Sequence, residues 1–186
     1  MEAQGWVELA NSPAPTADGT ALASSTTLTV ISPNAATNPP FTIPANRLFP
    51  GAVIRVTAYG RFSTTGTPTL LLGLYSGGAA GVSIANSGAI TTTSGVTNVP
   101  FKAEFLVVCR AIGTSGTLFA QGTAHGISGT VGVSVVPIPA SAPAVATVDT
   151  TLAKTWDLCA QWGTSSASNT ITCHLFVVEG MNVNLA

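Results

Sequence analysis

The chain has 186 residues, of which 46% are hydrophobic and only 7% are charged, and its formal net charge is −1 at pH 7. An ordinary soluble domain carries about 25% charged residues, so most of the surface of this protein must be uncharged. Without a basic cluster or a large net charge, electrostatic binding to nucleic acid or to an anionic membrane is not expected.

The first 21 residues are predicted to form an extended N-terminal arm. Pro13, Pro15 and the pair Asp18 and Gly19 lie within it, and this density of Pro and Gly disfavours a regular element. No change of composition divides the remainder, so residues 22–186 are predicted to form one β-sandwich domain. The start of the chain has no signal-peptide pattern, and no apolar run is long enough to cross a membrane as a helix.

Strand patterns begin directly after the arm. Residues 24–31 alternate as a half-buried strand, and residues 41–43 form a short strand-like step. Residues 52–62 give the clearest alternation, with Ile54 and Phe62 on one face and Arg55, Tyr59 and Arg61 on the other. Residues 69–75 form a continuous apolar run of strand length, and residues 82–85 and 89–92 are weaker strands.

The second half of the chain continues this pattern. Residues 99–112 predict the longest strand, whose outer face begins charged at Lys102 and Glu104 and becomes apolar at Leu106, Val108 and Ile112. Residues 117–124 are predicted to be its hairpin partner. Further strands are predicted at 131–136 (ended by two prolines), 145–148, 156–162 and 170–179, the last two joined as a hairpin by the polar loop 163–169.

These segments amount to about eight to ten strands and no helix. Short strands at this spacing, separated by turn residues, predict an antiparallel all-β sandwich or barrel. The low charge also gives weak repulsion between copies. We therefore expect a homo-oligomer or a component of a larger shell.

The sequence predicts no catalytic, cofactor-binding or metal-binding residues. His174 adjoins Cys173, but neighbours on a strand point to opposite faces. His125 is expected in a loop, and both histidines are expected at the surface or at subunit contacts. Cys109, Cys159 and Cys173 form no disulfide framework and are expected to be buried. A glycosidase pair such as Asp149 with Asp157 is the remaining arithmetical possibility.

A few side chains have two interpretations. Trp156 and Trp162 share one face of a strand, which favours core packing over a sugar-stacking platform. Arg55 and Arg61 share a face with Tyr59, either as a subunit-contact strip or as a solvated face. Lys154 could form an ion pair with Glu179.

Six stretches of the chain are informative together: residues 43–51, 54–70, 113–117, 148–151, 157–163 and 166–172. They resemble virion structural proteins of tailed bacteriophages, the jelly-roll subunits that decorate the head or sit on the tail. The resemblance covers most of residues 40–180 and leaves the arm unmatched.

The resemblance implies a jelly-roll sandwich that is a non-enzymatic virion component, often trimeric, bound to the major capsid protein or to other virion subunits. A capsid decoration (cement) protein, made in the host cytoplasm, is the favoured hypothesis. One alternative is a tail-fibre or receptor-binding module whose loops at 77–81 and 163–169 contact host glycans. Another is a shell subunit built from the same jelly roll.

Overall fold

The computed structural model describes residues 7–8, 16–33, 40–129, 134–143 and 145–181. These residues form strands and no helix, which confirms the all-β prediction. The strands are β1 (Val7–Glu8), β2 (Leu22–Ala23), β3 (Thr29–Val30), β4 (Thr42–Ile43), β5 (Val53–Ser63), β6 (Thr69–Ser76), β7 (Val82–Asn86), β8 (Ile90–Thr91), β9 (Val99–Ala111), β10 (Gly116–His125), β11 (Val135–Ile138), β12 (Val145–Val148), β13 (Lys154–Trp162) and β14 (Thr170–Met181).

The strands form two antiparallel sheets. The wide sheet has the order β1-β14-β5-β9-β10-β11, with β2 also on β14 and β12 also on β10. The narrow sheet has the order β3-β13-β6-β7, with β4 also on β13 and β8 also on β6. The long strands therefore lie in the middle of each sheet, and pairs of short strands cover the edges.

The order of the strands is that of a jelly roll. β2, β14, β5 and β9 are neighbours in one sheet, and β3, β13, β6 and β7 are neighbours in the other, so the chain passes repeatedly from sheet to sheet as in a double Greek key. The segment β10–β12 extends the wide sheet beyond β9. A jelly-roll-like antiparallel sandwich is therefore confirmed.

The core lies between the two sheets. Among the inward residues of β5 and β9, Ile54, Phe62 and Phe105 are at most 1% exposed. On the narrow sheet, Trp156 and Trp162 are equally buried, which confirms core packing and shows that the sugar-platform interpretation was wrong. The predicted hairpin of β9 with β10 is also confirmed by their continuous pairing.

Three local predictions were wrong. Residues 24–31 are not one strand, because the chain turns at Ser24 (φ 51°) as it leaves the wide sheet for the narrow one. β13 and β14 are not a hairpin, because loop 163–169 crosses between the sheets. Pro137 does not end a strand but lies inside β11, an edge strand, where proline is tolerated. Residues 131–133 of that predicted strand lie outside the described residues.

Candidate interaction surface

The outward side chains of the four long strands of the wide sheet form one continuous surface, called the wide face below. Its position follows from the alternation along β5, β9 and β10, whose other residues are buried in the core. The wide face comprises Val53, Arg55, Thr57 and Tyr59 on β5; Lys102, Glu104, Leu106 and Val108 on β9; Phe119, Gln121, Thr123 and His125 on β10; and Leu175, Val177 and Glu179 on β14.

Large apolar side chains of the wide face are open to solvent. Tyr59 is 43% exposed, and Leu106 and Leu175 are each 45% exposed. Leu175 pairs with Tyr59 across the strands. At the opposite end of the strands, Val53 and Val108 are paired neighbours. Exposed apolar side chains grouped on one sheet surface are typical of a protein contact.

Two ion pairs lie on the wide face, whereas Arg61 and Arg110, which point to the same side at the ends of β5 and β9, belong to neither pair. Arg55 Nε donates to Glu179 Oε2 at 2.8 Å, and Lys102 Nζ lies 2.6 Å from Glu104 Oε2. The hydrogen bond that Arg55 donates to Glu179 raises the pKa of Arg55, and the one that Lys102 donates to Glu104 raises the pKa of Lys102. The wide face therefore combines apolar side chains with closed ion pairs.

Aromatic rings of the wide face also contact cations. The guanidinium of Arg110 stacks 3.9 Å from the centre of the Phe119 ring, and Lys102 Nζ lies 5.9 Å from that of Tyr59. Such a contact stabilises the cation by attraction to the face of the ring, and the side chains around it can remain apolar.

The wide face agrees only in part with the outward faces predicted for β5 and β9. Arg55, Tyr59, Leu106 and Val108 share the predicted face, whereas Ile112 lies beyond the end of β9. Glu179 pairs with Arg55 and not with Lys154, which lies in the narrow sheet.

Leu175 was missed because a bulge between Cys173 and Leu175 shifts the register of β14. The apolar run of residues 175–178 has no alternation that would reveal which side chains point outward.

The outer face of the narrow sheet is less exposed than the wide face, because other parts of the same chain cover it. Asp157 is 3% exposed there and accepts a hydrogen bond from Ser32 Oγ at 3.2 Å. Burial raises the pKa of Asp157 despite this bond. Asp149, in contrast, accepts hydrogen bonds from Thr151 Oγ1 and N at 2.6 and 2.9 Å, which lower its pKa. The two carboxyls thus have separate structural partners, and their pKa values are shifted in opposite directions.

The histidines and cysteines also occupy structural positions. His125 is not in a loop but ends β10 on the wide face, with Nε2 3.0 Å from Thr123 Oγ1. His174 Nδ1 lies 2.7 Å from Asp18 Oδ1. The three cysteines are free and buried, as predicted, and burial raises the pKa of Cys159 and of Cys173 to about 12. Among the described residues, no group of three or more His, Cys, Asp and Glu side chains could hold a metal ion.

The described end of the predicted arm lies along β14. Gly19 N donates to Cys173 O at 2.8 Å, and a Cβ on Gly19 would lie 2.0 Å from Ile31 O. Trp162 Nε1 donates to Leu22 O at 3.3 Å. The segment of residues 16–23 is therefore attached both to the edge of the wide sheet and to a core tryptophan.

A shallow groove of about 260 Å³ lies between β7 and the segment around β12. Its side chains include Ser83 and Asn86, which hydrogen-bond to each other at 2.9 Å. Loops 77–81 and 163–169, the predicted glycan contacts, do not line this groove.

No family model, no curated protein and no solved structure matches this chain. Nor do the described residues include a helix of the length and apolarity needed to span a membrane.

Proposed function

We propose that this protein is a non-enzymatic structural component of a tailed-phage virion, and that it decorates the capsid and stabilises its lattice. The observation that carries the proposal is the wide face, a broad sheet surface with exposed apolar side chains and two internal ion pairs. Such a surface suits binding by contact area, since no single strong polar contact is needed.

The jelly-roll body supports this role as a rigid platform. The wide face consists of adjacent long strands, so its side chains keep fixed spacings on a rigid hydrogen-bonded sheet. A decoration protein repeated over a lattice gains avidity from many weak attachments. The N-terminal arm would add a second attachment along neighbouring capsid subunits.

The proposal is tested with undecorated heads assembled from the major capsid protein of the same genome. Purified chain should cosediment with these heads, saturate at a fixed ratio and raise the temperature at which they disassemble. A variant lacking residues 2–20 measures the contribution of the arm. Heads that neither bind the chain nor become more stable would contradict the proposal.

Experiments with virions and purified chain also distinguish capsid decoration from the receptor-binding alternative. Immunogold labelling of virions should mark heads. Labelling of tails, together with binding of the purified chain to host cells or to a glycan array, would instead favour a tail-fibre module.

A further inference from the structure

We propose, on the basis of the function proposed above, that Arg110 and the apolar side chains beside it bind a carboxylate of the capsid protein to which the wide face attaches. The ligand is an Asp or Glu side chain that has apolar side chains next to it. The binding site, called the Arg110 site below, comprises Val53, Val108, Arg110, Phe119 and Val145.

A β-bulge determines where Arg110 points. The pairing of β9 with β10 shifts between Thr117 and Leu118, so Arg110 has no partner on β10. The extra residue of a bulge bends its strand and re-aims its side chain. Arg110 Cζ lies over the Phe119 ring, 3.9 Å from its centre. The bulge and the ring together therefore position the guanidinium.

The contact with Phe119 leaves the hydrogen-bonding edge of the guanidinium free. The N–H groups of a guanidinium lie in its plane, whereas the ring covers one of its faces. The side chain of Arg110 is exposed, and within the described part of the chain it has no ion pair and no hydrogen-bond acceptor. Its planar fork of donors matches the two oxygens of a carboxylate.

The charges around the site favour a single carboxylate over a polyanion. The three other cations on β5 and β9 already have acceptors in the chain, which are Glu179 for Arg55, Glu104 for Lys102 and the Asn98 carbonyl for Arg61. Nucleic acid binds through several cations that contact successive phosphates. Arg110 is the one cation of these two strands without an acceptor among the described residues, so its charge suits one carboxylate.

A row of apolar side chains determines what should surround that carboxylate. Val53, Val108, Phe119 and Val145 are successive cross-strand partners on β5, β9, β10 and β12. Strands lie about 4.8 Å apart, so the row is about 14 Å long. Val145 is 47% exposed, and the other three are partly exposed. Apolar side chains of the capsid protein that cover this row would exclude water and strengthen the hydrogen bonds from Arg110.

Binding to undecorated heads tests the site through Arg110→Gln, which removes the charge and keeps a polar side chain. The dissociation constant, measured by cosedimentation, should rise at least about tenfold, because an arginine at the centre of a contact is a typical hot spot. Phe119→Leu keeps the row apolar but removes the ring under Arg110, and should raise the constant about two- to fivefold.

Lys154→Gln is the matched control. It removes one cation from the narrow sheet, so the net charge changes as in Arg110→Gln, and the dissociation constant should stay that of the wild type. Circular dichroism and thermal denaturation verify that each variant is folded.

Two peptides test the site without heads. Acetyl-Leu-Glu-Leu-amide at millimolar concentration should shift the backbone amide resonances of Val108 and Phe119, whereas the neutral acetyl-Leu-Gln-Leu-amide should not. The shifts should be absent from Arg110→Gln and present in Lys154→Gln.

Where heads bind the wild-type chain, the head assay decides. Equal binding of Arg110→Gln and the wild type, or equal weakening by Arg110→Gln and Lys154→Gln, would overturn the Arg110 site and leave capsid decoration standing. Where heads do not bind, decoration is refuted and the peptides decide. Shifts specific to the Glu peptide would then support a carboxylate site, and equal responses to both peptides would overturn it.

Discussion

Gly19→Ala is expected to detach the end of the arm from β14. The new Cβ would lie 2.0 Å from Ile31 O. Ile31 cannot readily move away, because its own amide donates to Leu158 O at 2.8 Å in the narrow sheet. The segment containing Gly19 must therefore move, and the hydrogen bond from Gly19 N to Cys173 O should be lost.

The expected loss of stability follows from the contacts that residues 16–23 make. The lost backbone hydrogen bond costs about 1 kcal/mol, and exposing Leu22, now 4% exposed, costs up to about 1.5–3 kcal/mol. The freed residues regain backbone entropy, which leaves a net destabilisation of about 1–2 kcal/mol, a usual size for one substitution. In a domain of this length the melting temperature should fall by about 2–8 °C.

Hydrogen exchange and tryptophan fluorescence measure the detachment. Amides of residues 16–23 should exchange faster in the variant, while those of β5 and β9 keep their protection. Emission should shift to the red, because Trp162 loses its hydrogen bond to Leu22 O and gains contact with water. Thr20→Ala, at the exposed next residue, is the control and should change neither the amide exchange nor the tryptophan emission. Unchanged protection of residues 16–23 in Gly19→Ala would refute the reasoning.

Three further outcomes are expected. Because burial raises the pKa of Asp157, the native protein binds a proton more tightly than the unfolded chain, and stability should fall as pH rises above the ordinary aspartate range. Asp157→Asn should remove this pH dependence of stability, measured by thermal denaturation at several pH values. The same pH profile in the variant and in the wild type would contradict the prediction. A double-mutant cycle with Arg55→Ala and Glu179→Ala, measured by thermal denaturation, should give a coupling free energy of at most about 1 kcal/mol. Cys159 and Cys173 should react with an aromatic disulfide reagent only after unfolding, since both are buried with raised pKa values; rapid labelling of the native protein would show otherwise.

The sequence was sufficient to predict those strands that have one face buried in the core and the other face outside it. β5 shows this best, since Ile54 and Phe62 enter the core while Arg55 and Tyr59 remain outside. Trp156 and Trp162 were assigned to the core because the residues between them on that face are apolar. In each case period-2 alternation reports burial directly.

Features that depend on the path of the whole chain could not be predicted this way. Loop 163–169 has the composition of a hairpin turn, yet it joins two sheets. The contact of Asp18 with His174 joins residues 156 positions apart and requires the arm to run along β14. The bulge before Leu175 reverses which residues face outward, and a uniformly apolar run hides such a reversal.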